Sequence, residues 1–109
     1  MLLATRVLRL EDRPGVEIPV RIFAPVQDDV DWTCRFEIGW PEGMLTRSVI
    51  GIDTIQALEL ALRMIGTILY SSDLHKSGRL MWQAPKQGYG FPVPNTIRDL
   101  LVGEDREFL

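Results

Sequence analysis

The stretch Gly51-Ile52-Asp53-Thr54-Ile55-Gln56-Ala57-Leu58-Glu59-Leu60-Ala61-Leu62 constrains this chain more than any other. It reads as the end of a strand, a helix cap and the first turns of an amphipathic helix. Asp53 is an N-cap residue with Gln56 three positions on, the capping-box spacing with Asp in place of Ser or Thr. Beyond it Ile55, Leu58, Leu62, Ile65 and Leu69 recur at steps of three and four, flanked by Ala57, Ala61, Met64 and Ile68. So wide a stripe must be buried, which predicts a helix over 53–72 docked on a second layer. Gly66, inside that helix, costs about 1 kcal/mol relative to Ala and predicts close approach by another segment.

The second layer comes earlier in the chain. In 16–24 the residues Val16, Ile18, Val20, Ile22 and Ala24 alternate with Glu17, Pro19, Arg21 and Phe23; in 32–40 Trp32, Cys34, Phe36, Ile38 and Trp40 alternate with Thr33, Arg35, Glu37 and Gly39. Period two means half-buried strands. Weaker strands over 5–12 and 44–52 flank the turns Arg13-Pro14-Gly15 and Pro41-Glu42-Gly43. A three-residue loop at 41–43 sets Trp40 opposite Met44, Ile38 opposite Thr46, Cys34 opposite Ile50 and Glu37 opposite Arg47. In the first hairpin a three-residue loop aligns Leu8 with Val20 and Leu10 with Ile18. Pro14 fits its third turn position poorly, however, and the two-residue alternative faces those leucines away; the register stays open.

After the helix, 79–83 reads as a short strand and 88–94 as a stiff extended segment, because each proline biases its predecessor away from helix. A short helix restarts at 96–102. The expected fold is α+β: an antiparallel four- to five-stranded meander sheet, one long helix packed on one face and a short C-terminal helix. Residues 1–102 form a single domain and 103–109 a flexible charged tail.

Few chemistries fit. A net charge of −3 with ten arginines interleaved among carboxylates offers no basic stripe for nucleic acid. The most apolar segment, 54–70, contains Gln56, Glu59 and Arg63 and makes a poor membrane span. No signal-peptide core opens the chain, so a cytoplasmic protein is expected. A lone cysteine excludes an intrachain disulfide and a cysteine-based zinc site; no metal, cofactor or catalytic residue is assigned. Asp28, Asp29 and Asp31 read as a solvated acidic loop without the ligand series of a calcium site, although whether they hold a cation stays open. His75 has no identifiable catalytic partner and reads as a neighbour of the helix C-terminus. Cys34, between Trp32 and Phe36 on an inward row, reads as an inert buried thiol.

The motif that opens the helix, followed by Ile65-Gly66, Gly78-Arg79-Leu80-Met81-Trp82 and Gly90-Phe91-Pro92-Val93-Pro94, resembles an uncharacterised bacterial domain family. Its shared order is a G-[IV]-D-[ST]-x-Q-A-L helix start, a G-x-L-x-W strand and a G-F-P-x-P end, covering roughly residues 5–94 here. The resemblance implies a free-standing bacterial domain of unknown function.

The leading expectation is a non-enzymatic interaction domain, either homodimeric or binding another protein as an immunity-type factor would. In the registers above, the sheet face away from the helix carries Val7, Phe23, Leu45, Arg47 and Val49, a mixture of apolar and arginine residues that resembles an interface. The alternative is a small-molecule binder or enzyme using an aromatic groove at Trp82, Tyr89 and Phe91.

Overall fold

The computed structural model describes residues 1–109. Its elements in chain order are β1 (Leu2–Leu10), β2 (Glu17–Phe23), β3 (Val26–Asp28), β4 (Asp31–Trp40), β5 (Gly43–Gly51), α1 (Thr54–Ser71), α2 (Asp73–Lys76), β6 (Leu80–Met81), a 3-10 segment (Asn95–Leu100) and α3 (Gly103–Phe108). The α+β class and the antiparallel meander are as expected. β1, β2, β4 and β5 follow one another across the sheet, β3 shares β4 with β2, and β6 returns to pair with β1. No helix is long and apolar enough to cross a membrane.

The chain divides into two compact units through which β1 and α1 both run: Met1–Val7 with Ile18–Ala61, and Leu8–Glu17 with Leu62–Leu109. In the first unit the period-two pattern is realised as a buried row of Ile18, Val20, Ile22, Cys34, Phe36 and Ile38, joined by Ala57 and Ala61 of α1. In the second the buried set is Leu8, Leu10, Ile65, Leu69, Tyr70, Leu80, Tyr89, Phe91, Val93 and Leu101. The leucines of β1 are thus buried, as the first of the two hairpin readings requires, although the connection is longer than either and spans residues 11–16.

A short strand, β3, follows β2 where the sequence reads only an acidic loop. Ile22 stands opposite Phe36 and Val26 opposite Thr33, so one more residue separates the β2–β3 pair than separates their partners. That is a β-bulge at residues 23–25. Pro25 belongs there because it has no ladder N–H to give. The Ala24 amide donates to the Met1 carbonyl at 2.9 Å, and the Cys34 thiol donates to the Phe23 carbonyl at 3.3 Å. Burial pushes the Cys34 thiol pKa up, which keeps it protonated and inert.

The second hairpin departs from the expected register by one residue. Trp40 pairs with Gly43 around a two-residue Pro41-Glu42 loop, which puts Ile38 opposite Leu45, Phe36 opposite Arg47 and Cys34 opposite Val49. A one-residue slip moves every side chain to the other face. Leu45, Arg47 and Val49 therefore share the side of the buried row, and Met44, Thr46, Ser48 and Ile50 take the outer face. The expected Glu37–Arg47 pair is replaced by a Glu37–Arg35 ion pair at 2.9 Å.

The cap on α1 forms as read. The Gln56 amide donates to Asp53 Oδ1 at 2.7 Å, while the Gln56 side chain reaches back one residue further than the usual box and accepts from the Ile52 amide, also at 2.7 Å. Asp53→Ala is expected to cost about 0.5–2 kcal/mol in chemical denaturation. The buried stripe is narrower than expected and rotated. Ala57, Ala61, Ile65 and Leu69 are fully buried, whereas Ile55 is 72% exposed. The cause is local crowding: a Cβ on Gly51 would collide with the Ala57 backbone, so the helix starts against the end of β5 with its small residues. Gly66 is the predicted close approach. A Cβ there would run into the Pro92 carbonyl, and Arg63 Nη1 donates to the adjacent Val93 carbonyl at 2.9 Å.

Candidate functional site

The densest polar arrangement lies in the second unit. Tyr70 sits on the last turn of α1. Ser72 ends that helix by donating its hydroxyl to the Leu69 carbonyl at 2.7 Å, and it opens α2 by accepting from the His75 amide at 3.1 Å. This double use of one serine folds the chain back so that the His75 ring stands 4.7 Å from that of Tyr70. Tyr89 completes the cluster, 5.2 Å from Tyr70 and 5.5 Å from His75. Its hydroxyl is hydrogen-bonded to His75 Nδ1.

Asp105 of α3 binds these parts together. Its Oδ2 accepts from the Tyr70 hydroxyl and from the Tyr89 amide, and its Oδ1 from the Gly90 amide, each at 2.7 Å. At 3% exposure it is the buried polar residue of the fold. Two glycines make room for it. Gly88 has φ +85 and no space for a Cβ beside the Asp105 carboxyl; Gly103 has φ +56 and none beside Gln87. Residues expected as a flexible charged tail are thus a short helix keyed to the segment 87–90.

Burial and the neighbouring Asp105 charge hold the Tyr70 and Tyr89 phenols far above their ordinary range. Burial also lowers the His75 pKa, so the imidazole is neutral near pH 7. The chemistry available is a neutral histidine hydrogen-bonded to a phenol that stays protonated.

His75 and Tyr89 line a cavity of about 270 Å³ together with Gly78, Leu80, Lys86 and Val102. A larger, more open depression of about 490 Å³ is lined by Glu11, Asp12, Ser77, Gly78, Arg79 and Lys86. Its central charges are paired: Arg79 Nε donates to both oxygens of Asp12, at 3.1 and 3.0 Å. That guanidinium holds the Asp12 carboxyl below the usual carboxylate range.

The residues singled out from sequence end up dispersed. Of Trp82, Tyr89 and Phe91, the last two are buried at 3% and 4% exposure, as core residues are; Tyr89 also reaches the cavity beside His75. Val7 and Phe23 are half-buried, and Arg35 lies over the Phe23 ring at 3.8 Å. Leu45, Arg47 and Val49 are separated from them by the register of β5. Asp28 and Asp31 face each other at the β3–β4 hairpin, with Asp29 at its tip in a left-handed conformation, φ 51. No group of three or more metal-ligating side chains converges. Sequence reading missed Asp105 and Lys86; the glycines at 88, 90 and 103 were the available signal, since each marks backbone too crowded or too twisted for a side chain.

A family model described as a domain of unknown function, DUF6968, matches residues 4–93. The chain belongs to the DUF6968 family. No curated protein and no solved structure matches it. The DUF6968 match ends before α3, so Asp105 lies outside the matched residues while its partners Tyr70, Tyr89 and Gly90 lie within them.

Proposed function

We propose that this DUF6968 chain is a protein-binding module whose docking element is the open edge of β5, occupied by a second copy of the chain. The supporting observation is the strand itself. It runs nine residues, pairs with β4 at every one of them and has no strand on its other side. It has no proline, no bulge and a single charge, Arg47. Such an edge is a ready template for another strand, and proteins normally blunt it. The opposite end of the sheet is blunted in that way, by a two-residue β6 closed with a Met81–Pro85 bridge.

Exposed apolar residues collect along the open edge. Ile50 is 64% exposed on the outer face of β5, and Ile52 and Ile55 follow it at 74% and 72%. A two-fold antiparallel pairing centred on Arg47 would set two guanidinium groups opposite each other, which is unfavourable. Centred on Ser48, the pairing places Ile50 against Thr46 and Ile52 against Met44 of the second copy, and Arg47 against Val49. Closed two-fold pairs are also the commonest soluble assemblies.

Sedimentation velocity tests this. The wild type should sediment as a dimer at micromolar concentration, and the double variant Thr46→Lys, Ile50→Lys as a folded monomer, since both side chains are exposed. A monomeric wild type, or a double-lysine variant that still dimerises, would sink the proposal.

A further inference from the structure

We propose that the cavity between His75, Leu80, Tyr89 and Val102 binds a small organic carboxylate, with the Lys86 ammonium as its counter-charge. Three independent features of the cavity converge on that ligand class.

The first is its lining. Leu80 and Val102 give apolar wall, the His75 and Tyr89 rings give edges, and Lys86 gives the one formal charge. The His75–Tyr89 hydrogen bond engages Nδ1 and the phenol with each other. At about 270 Å³ the space corresponds to roughly nine water volumes of ~30 Å³, which suits an acid with a short apolar body.

The second is the backbone at Lys86. Its φ is 61, the left-handed region that glycine occupies without strain and other residues adopt only uncommonly. Folding alone would favour glycine at this position. A strained residue that sets a charge on the rim of an apolar cavity points to a use for the charge.

The third is the placement of that charge. The Lys86 stem lies over Gly78, its Cε 4.0 Å from where a Cβ of Gly78 would be, on the rim shared by the cavity and the neighbouring depression. Of the carboxylates lining that depression, Asp12 is already held by Arg79, and the ion pairs of this unit, Arg9–Glu17 and Arg79–Asp12, leave Lys86 out. The remaining carboxylate there is Glu11. If Lys86 existed to pair with Glu11, its loss would weaken the fold.

Those two roles give opposite signs for one variant. Lys86→Gly relieves the backbone, so it should melt at or above the wild-type temperature. The same variant should lose carboxylate binding. The probes are acetate, butyrate, hexanoate and benzoate, with benzamide as the uncharged match to benzoate, each titrated into the full chain and followed by NMR. The expected result is saturable binding of at least one of the longer acids that shifts His75 and Leu80 resonances, with benzamide and the Lys86→Gly variant each weaker by about ten-fold or more. No saturable binding by any of the four acids would overturn the proposal, as would equal binding by Lys86→Gly or a Lys86→Gly variant that melts below wild type. Because the cavity is distinct from the β5 edge, failure of this test leaves the dimer proposal standing, and the reverse.

Discussion

Replacing Asp105 by alanine is expected to destabilise the fold by about 3–5 kcal/mol, read as a fall in the urea midpoint. The carboxyl accepts from the Tyr70 hydroxyl and from the Tyr89 and Gly90 amides. Removing it orphans three donors, and each buried donor without a partner costs about 1–3 kcal/mol. The costs do not add in full, because the hole left beside Gly88 admits water. Asp105→Asn should also lose stability, since its NH₂ would face an amide that donates. Glu104→Ala and Glu107→Ala, one and two positions away and exposed, should stay within about 0.5 kcal/mol of wild type. A loss below about 1 kcal/mol for Asp105→Ala would reduce α3 to a surface appendage.

Gly66→Ala should run against helix propensity. Alanine is about 1 kcal/mol better than glycine inside a helix, so on local grounds the change stabilises. The new methyl, however, meets the Pro92 carbonyl, which is backbone and cannot rotate away. Moving that segment costs about 1–3 kcal/mol of overpacking and puts the Arg63–Val93 hydrogen bond, about 1 kcal/mol, at risk. The clash wins, with a net loss of about 1–3 kcal/mol expected in the same denaturation assay. Met64→Ala, two residues away and 43% exposed, is the control and should be close to neutral. A stabilised Gly66→Ala would mean that 91–94 rests only loosely on α1.

These two glycine-dependent contacts mark how far the sequence could be read. Gly66 was legible because a glycine inside a strongly periodic helix has a local cost that only a tertiary neighbour offsets. The strands were legible where one face is fully buried, as along Cys34, Phe36 and Ile38. The register of β5 was not, because its two faces are nearly matched: Met44 and Ile50 on one, Leu45 and Val49 on the other. With an edge strand so balanced, the hydrophobic pattern cannot choose between two loop lengths. The rotation of the α1 stripe escaped for a related reason. Alanines carry little weight in a hydrophobicity pattern, yet Ala57 and Ala61 face the core because Gly51 brings the helix start so near. Asp105 was the least legible. It stands among Glu104, Arg106 and Glu107 with nothing local to distinguish it, and its partners lie 15 to 35 residues earlier.

That separation sets an order on the making of the protein. The stretch Ile18–Ala61 of the first unit is continuous in the chain, so its hairpins can close while translation is still under way. The second unit is assembled from Leu8–Glu17 and everything after Leu62, and the carboxyl that ties Tyr70, Tyr89 and Gly90 is synthesised after all three. The latch on this unit can therefore close only after its other parts have been made, across separations of 15 to 35 residues.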